Sequence, residues 1–350
     1  TIPGCAHLCG HDGHMTIALS VCRVLSTRPP QSGRVVVLFQ PAEETGQGAR
    51  SVAADSVFRS EILGDNPAGC VVLALHNLPG VPLGEVVLRE GTFSCASRGM
   101  VVRATGKPSH AAHPEDGISP ALPLARLMIQ LTELPDRMRR KLKETTTDVE
   151  NHCPSSSAAI LDGDANGDGE EDGSRSLGLC MVTPICVRCG EPSFGTTAHC
   201  GELMVTLRAE RNVVMQRMAT QAEALARQVV QVDGGVPLVE ISWQDCFEAT
   251  ENDATLVADL AEEVSLACGR PPLRKPEPFR WSEDVGALFS PTTSSEEEEE
   301  NTSHHPRGLL FGLGAGAHSP QLHNSDYDFP DPLIPLGSHI FLRMVRRYLG

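Results

Sequence analysis

Aromatic residues are scarce in this chain of 350 residues: two tryptophans, two tyrosines and ten phenylalanines. With so few large rings a core must be aliphatic, and a 40% apolar content supplies it. Long apolar runs are also missing. None approaches the ~18–20 residues that span a bilayer as a helix, so no membrane is expected as partner. Positive charge is short as well: 29 Lys and Arg against 45 Asp and Glu give a formal net charge of −16. That deficit argues against a nucleic-acid backbone or an anionic membrane surface as partner. Cysteine is the exception to this scarcity, with twelve. Several, such as Cys70 ahead of Val71-Val72-Leu73, stand in apolar stretches where a reduced thiol packs as a small hydrophobe. In a chain of this length they form no disulfide framework, and a reducing, cytoplasmic setting is expected. The chain opens at Thr1, without Met and without the charged-then-apolar pattern of a secretory signal. A fragment or a processed form is therefore expected.

Strand and helix signals alternate in the first segment. Met15–Leu25 reads as a helix leaving a Gly/His-rich loop, and Arg34–Phe39 as a strand buried on both faces. Ala49–Leu63 reads as a helix and Cys70–Leu75 as a second buried strand. Such alternation predicts an α/β layer with a mostly parallel sheet. The style changes near Ser97. From there a strand at Met100–Ala104, a helix at Pro120–Leu134, strands at Leu177–Val187 and Glu202–Arg208, a helix at Val213–Val232 and a strand at Leu238–Phe247 give the order β-α-β-β-α-β. That is the order of a ferredoxin-like unit. Asn252–Ala267 resumes helix and Leu309–Leu313 is a short buried strand. The expected organisation is therefore a smaller domain, 97–249, inserted into an α/β domain made of 1–96 and 250–350.

Much of the negative charge lies in two segments, 150–176 and 291–307. The first holds Asp162, Asp164, Asp168, Glu170, Glu171 and Asp172; the second holds Glu296 to Glu300. Both read as solvated insertions. Asp162, Asp164, Asn166 and Gly167 follow the start of an EF-hand loop, but Gly173 stands where a bidentate Glu is needed, so calcium is not expected.

The chemistry-bearing residues are concentrated in His7-Leu8-Cys9-Gly10-His11-Asp12-Gly13-His14, where glycines let Cys9 and His11 converge. Asp12 and the helix start after it are placed to orient neighbouring ligands. Next comes Gln40-Pro41-Ala42-Glu43-Glu44, read as lying past a strand end, where α/β sheets form their crevice. Of two adjacent carboxylates one can bind a metal while the other faces a water as general base. Taken alone, this pair is a solvated loop. His76 follows a buried strand, and His323 sits in Leu322-His-Asn-Ser-Asp-Tyr-Asp-Phe329. Each has a bland structural reading by itself. Together Cys9, His11, Glu44, His76 and His323 make a ligand set for two divalent cations, zinc or manganese, as in two-metal hydrolytic sites.

The stretches HLCGHDGHMT (7–16), LFQPAEETGQGA (38–49), LHNLPGVPLGEV (75–86), GKPSHAAHPEDGISPA (106–121), TLRA (206–209), SED (282–284) and LHNSDYDFPDPLIPLGS (322–338) run in order along the chain. In them the chain resembles the M20 metallopeptidase family, in particular its amidohydrolase branch, which acts on N-acyl amino acids, auxin–amino acid conjugates and hippurate. The resemblance implies a zinc-peptidase-like catalytic domain with an inserted ferredoxin-like dimerisation lid, a homodimer, and cleavage of an N-acyl amino acid amide bond. It implies Cys9, His11, Glu44, His76 and His323 as metal ligands, and Glu43 as the general base that activates a metal-bridged water. It also implies His110, in Gly106-Lys-Pro-Ser-His-Ala-Ala, as the lid histidine that stabilises the oxyanion in the partner subunit's site; without the resemblance His110 is a surface loop residue. The chain departs from the family pattern at Thr196–Gly201. The alternatives are a catalytically inactive metal- or ligand-binding homologue and a dimerisation scaffold. A competing structural zinc site, Cys186 and Cys189 with His199 and Cys200, is disfavoured because Cys186 lies in an apolar alternating strand.

Overall fold

A computed structural model describes residues 6–151, 177–289 and 305–350. In chain order the first elements are α1 (His11–Thr27), α2 (Gly48–Ala54), β1 (Val71–Pro79), β2 (Val86–Leu88), β3 (Gly91–Ser94), β4 (Ala96–Thr105), α3 (Ala121–Thr132) and α4 (Leu134–Asn151). They are followed by β5 (Cys180–Cys189), β6 (Cys200–Ala209), α5 (Asn212–Ala226), β7 (Leu238–Phe247), β8 (Thr250–Asn252), α6 (Ala254–Cys268), β9 (Leu273–Arg274), β10 (Arg307–Gly316) and α7 (Leu333–Leu349). The chain divides into two compact units, one of residues 1–96 with 245–350 and one of residues 97–244.

The first unit is built on a mixed sheet ordered β1-β10-β2-β9. β1 and β10 run parallel, with Leu73 opposite Leu309 and His76 opposite Gly312; β10 and β2 are antiparallel, and β2 and β9 parallel again. β10 lies between two strands and is buried along nearly its whole length, which its apolar and glycine-rich sequence permits. Helices α1, α6 and α7 cover the sheet: Ile17, Leu256, Leu260, Leu333, Ile340 and Met344 join Leu75, Leu309, Phe311 and Leu313 in one cluster. α6 starts on Asp253, whose side chain accepts from Leu256 N, and ends on left-handed Gly269.

In the second unit the sheet order is β5-β6-β4-β7, and β5 pairs antiparallel with β6. The strands follow one another as β4, β5, β6 and β7, with α3 and α4 before β5 and α5 before β7; this is the ferredoxin-like arrangement. Leu203, Val205 and Leu207 alternate inward along β6 and are buried with Leu124, Leu127, Met215 and Met218.

Several elements differ from the sequence reading. Arg34–Phe39 forms no strand, and Val36, Leu38 and Phe39 are 46%, 44% and 48% exposed instead of buried on both faces. Its apolar run shows a need for cover that no ladder supplies among the described residues. The helix expected over Ala49–Leu63 ends at Ala54 because Asp55 turns extended. The Asp55 carboxylate then accepts from Val57 N and Phe58 N, which opens a separate π-helical turn, Phe58–Leu63. The strand read at Leu177–Val187 sits later, at Cys180–Cys189. His76 lies inside β1 and not beyond it. The acidic segments fall largely outside the described residues, as does the EF-hand-like stretch. Each described cysteine is a free thiol. Among the described residues no helix is long and apolar enough to cross a membrane.

Candidate metal centre

Four segments of the first unit bring the site together. The first is the turn before α1, where Gly10 adopts φ +83°. A side chain there would meet the Asn77 amide and the Phe329 ring at 2.9 Å, so only glycine lets the backbone reverse between Cys9 and His11. The second is the buried carboxyl half of β1, which carries His76 and Asn77. The third is the loop after Phe39, where Glu43–Thr45 form a short 3₁₀ turn between left-handed Ala42 (φ 58°) and Gly46 (φ 67°). The fourth is the 322–329 loop; His323 itself is left-handed (φ 65°), and its N–H donates to Leu8 O at 2.8 Å. Two of the non-glycine residues with positive φ thus flank or form the site, a placement of backbone strain typical of functional loops.

The donors converge. Cys9 Sγ lies 3.4 Å from His76 Nε2, and Glu283 Oε1 lies 3.3 Å from the same nitrogen. His323 Nε2 is 3.5 Å from Glu44 Oε2, His11 Nε2 is 3.6 Å from Glu43 Oε2, and His11 Nδ1 is 4.0 Å from Glu44 Oε1. Single donor atoms within 4.8 Å of one another form three overlapping groups: Cys9, His11 and His76; Cys9, Glu44 and His323; and His11, Glu43 and Glu44. The structure therefore gathers all five residues read as ligands, with Glu43 beside them. Cys9, His11 and Glu44 each stand in two of the groups, and of these Cys9 alone joins the His76 group to the His323 group. Cys186, Cys189, His199 and Cys200 form no such group among the described residues.

Burial sets the electrostatics. It pushes His76 down to about 4, partly countered by the ring's bond to the Asn77 carbonyl, and it lowers His11 and His14 too. Glu43 and Glu283 share a side-chain hydrogen bond, and both are raised, first by burial and then by neighbouring carboxylates. The Cys9 thiol is raised by burial and by Glu283, Glu44 and Glu43. These perturbations, packed into one crevice, mark a functional site.

Residues outside the sequence-derived set complete it. Glu283 touches both His76 and Glu43. The His14 ring packs edge-on to His76 with centroids 4.9 Å apart, and its Nε2–H donates to Asn77 Oδ1, whose amide donates in turn to the Tyr327 hydroxyl. His76 also faces Trp281 at 5.5 Å, part of a small aromatic group with Phe93 and Phe279. In the sequence, Ser282-Glu-Asp284 and Leu75-His-Asn77 are the stretches that carry Glu283 and Asn77.

His110 belongs to the second unit, exposed on a loop that Thr197 pins by accepting from Ser109 N. Its Nδ1 accepts from Ala112 N at 3.1 Å, which leaves Nε2 to carry the proton of the neutral ring.

The chain matches the model of peptidase family M20/M25/M40 over residues 1–347 and belongs to that family. It is a metal-dependent hydrolase of the amidohydrolase type. An N-acetyldiaminopimelate deacetylase of Pediococcus pentosaceus is 33% identical over 350 residues, 99% of this chain and 75% of that protein. IAA-amino acid hydrolase ILR1-like 4 of Arabidopsis thaliana is 33% identical over 137 residues, 39% of this chain and 29% of that protein. In fold, the chain is similar to the Bacillus subtilis YXEP protein, a dinuclear metal-binding peptidase from the M20 family, with a TM-score of 0.67 at 17% identity, covering 100% of this chain and 75% of that one.

Proposed function

We propose that this chain hydrolyses the amide bond of an N-acyl amino acid or a similar conjugate at a centre for two divalent cations, zinc or manganese. Cys9, His11, Glu44, His76 and His323 are the ligands, Glu43 is the general base, and His110 is the oxyanion donor. The observation that carries this reading is the membership of Cys9 in two convergent donor groups while Glu43 stands against His11.

The donor set fits a cation. His76 Nδ1 is spent on the Asn77 carbonyl at 2.8 Å, so the Nε2 lone pair faces Cys9 Sγ and Glu283 Oε1. A neutral imidazole fixed in this tautomer by its other nitrogen is the usual metal-binding state. A positive charge among Cys9, Glu283, Glu44 and Glu43 would also offset the burial and the carboxylate repulsion that together keep the thiol protonated, and cation binding would release that proton. When bound, the cations supply Lewis acidity to the scissile carbonyl and a lowered pKa to water.

The chain's own residues do the rest. Glu43, held basic by burial and by the carboxylates around it, takes the proton of the attacking water and passes it to the leaving amine. His110 Nε2–H donates to the developing oxyanion. In this reading the second unit is the lid and dimerisation domain, and the donor at each site is the partner's His110. The N-acyl amino acid class is supported by the relatives' names, N-acetyldiaminopimelate deacetylase and IAA-amino acid hydrolase.

The test is a panel of small N-acyl amino acids assayed with and without chelator, wild type against Glu43→Ala. The variant is expected to retain both cations and to lose turnover by roughly 10²–10⁴-fold. Unchanged turnover removes Glu43 from this role. Cation binding without hydrolysis of any panel member by the wild type supports the inactive-homologue alternative.

A further inference from the structure

Glu43 and Glu44 sit at the apex of a loop running from Gln40 to Gly48, and Glu44 has solvent on one side. The Glu43 side chain is packed against Glu283, but that of Glu44 is half exposed, and its place depends on the backbone that carries it. Asp284, 2% exposed, accepts at 2.8 Å from Gln40 Nε2 on both carboxylate oxygens and at 2.8 Å from Ala49 N. One carboxylate therefore ties the first residue of the loop to the residue that follows the loop. At Gly48 the loop closes so tightly that a Cβ would lie 2.0 Å from Pro41 O, and at Gly46 it rests against the Cys246 carbonyl. Asp284 is itself seated on a packed base: Ala287, Leu288 and Phe289, one turn on, cluster with Ala49, Val52 and Phe58. Asp284 touches none of the candidate ligands through these bonds.

We propose that Asp284 is a positioning residue for the Glu44–His323 side of the centre, clamping loop 40–49 so that Glu44 meets Cys9 and His323 and Glu43 meets His11. This rests on the two-cation reading above. The clamp acts by geometry: a buried carboxylate receiving three hydrogen bonds cannot be vacated without leaving Ala49 N and the Gln40 amide unpaired. A loop freed at both ends would let an exposed carboxylate drift beyond bonding reach.

The experiment is calorimetric titration of the metal-free full chain with Zn²⁺ or Mn²⁺, at a temperature where circular dichroism shows each variant folded. Wild type is expected to take up two equivalents. Asp284→Ala is expected to weaken one equivalent by about 10–100-fold, the range for residues that orient ligands, and to leave the other within about twofold. Asp284→Asn keeps an acceptor for Ala49 N, and the Gln40 amide can turn to accept from it, so this variant is expected to restore most of the lost affinity. If Asp284→Ala does not fold, Gln40→Ala removes only part of the clamp and is expected to shift the same equivalent in the same direction by less. Two equivalents bound with wild-type affinity in Asp284→Ala, or in Gln40→Ala should the first not fold, overturn the proposal, because a purely structural role lowers thermal stability without moving one site's affinity. Fewer than two equivalents in the wild type would sink the two-cation reading itself, and this inference with it.

Discussion

Two halves of the candidate centre are held in different ways. Cys9 and His76 are 8% and 2% exposed, and the His76 tautomer is set by a backbone carbonyl in the middle of a strand. Glu44 and His323, by contrast, have side chains 53% and 62% exposed, and each projects from a loop with left-handed backbone beside it or at it. The first half is preorganised by burial, His76 in β1 and Cys9 in the turn before α1, and by the His14–Asn77–Tyr327 chain. The second is preorganised from below, through the backbone that carries it. On the two-cation reading proposed above, one position would be shielded and the other would face solvent.

Cys9→Ala breaks the comparison most severely, because the Cys9 thiol, buried beside His76, also lies within reach of Glu44 and His323. It is expected to abolish stable uptake of both cations and to reduce turnover by orders of magnitude; full cation content by elemental analysis would remove the shared thiolate. Replacing one half at a time sharpens the contrast. His76→Ala is expected to strip the tighter equivalent and to destabilise the fold, since it empties a buried position. His323→Ala is expected to weaken only the looser equivalent, with little change in thermal stability. Equal effects from the two would contradict the difference drawn between the halves.

A smaller effect separates the titrating groups in the metal-free protein. Unfolded His76 takes a proton below about 6.5, while the buried native ring refuses it until about 4, so stability falls as pH drops through that window, with His11 and His14 adding in the same sense. Glu43 and Glu283 act oppositely. Their native values stand above the ordinary 4.5, so their contribution is full below 4.5 and is lost as pH rises above it. Denaturation midpoints of chelator-treated protein from about pH 5 to about pH 8 should therefore fall on both flanks, and Glu283→Gln should make the alkaline decline shallower and the acid flank steeper, since its contribution is lost from about 4.5 upward. A midpoint that keeps rising above pH 6.5 would contradict the sign assigned to the carboxyl pair. Smallest of all, Cys186→Ser and Cys189→Ser should leave cation stoichiometry unchanged; loss of an equivalent would revive the competing zinc site.

Much of the architecture was legible because it obeys simple periodicities. The alternation of Leu203, Val205 and Leu207 gave β6, and the apolar run after Cys70 gave β1. Where the reading failed, composition was answering a different question. Val36, Leu38 and Phe39 say that a strand's worth of apolar surface needs cover, not that hydrogen-bonded neighbours exist to either side. α7 was hidden by Pro335 and Gly337 near its start. Proline is tolerated in a first turn, and Gly337 lets α7 approach α1, since a Cβ there would lie 2.8 Å from Ile17. The site divides in the same manner. Cys9 and His11 announce themselves by density of metal-capable residues, but the short Ser282-Glu-Asp284 stretch carries no sign that packing buries Glu283 against His76 and Asp284 against Gln40 and Ala49.

The central claim is that one thiolate serves two cation positions. Anomalous scattering from crystals of zinc- or manganese-loaded protein tests it directly. The account predicts two peaks about 3.5–4 Å apart, both within bonding reach of Cys9 Sγ, one also contacted by His11 and His76 and the other by Glu44 and His323. A single peak, or two that do not share Cys9, would contradict it.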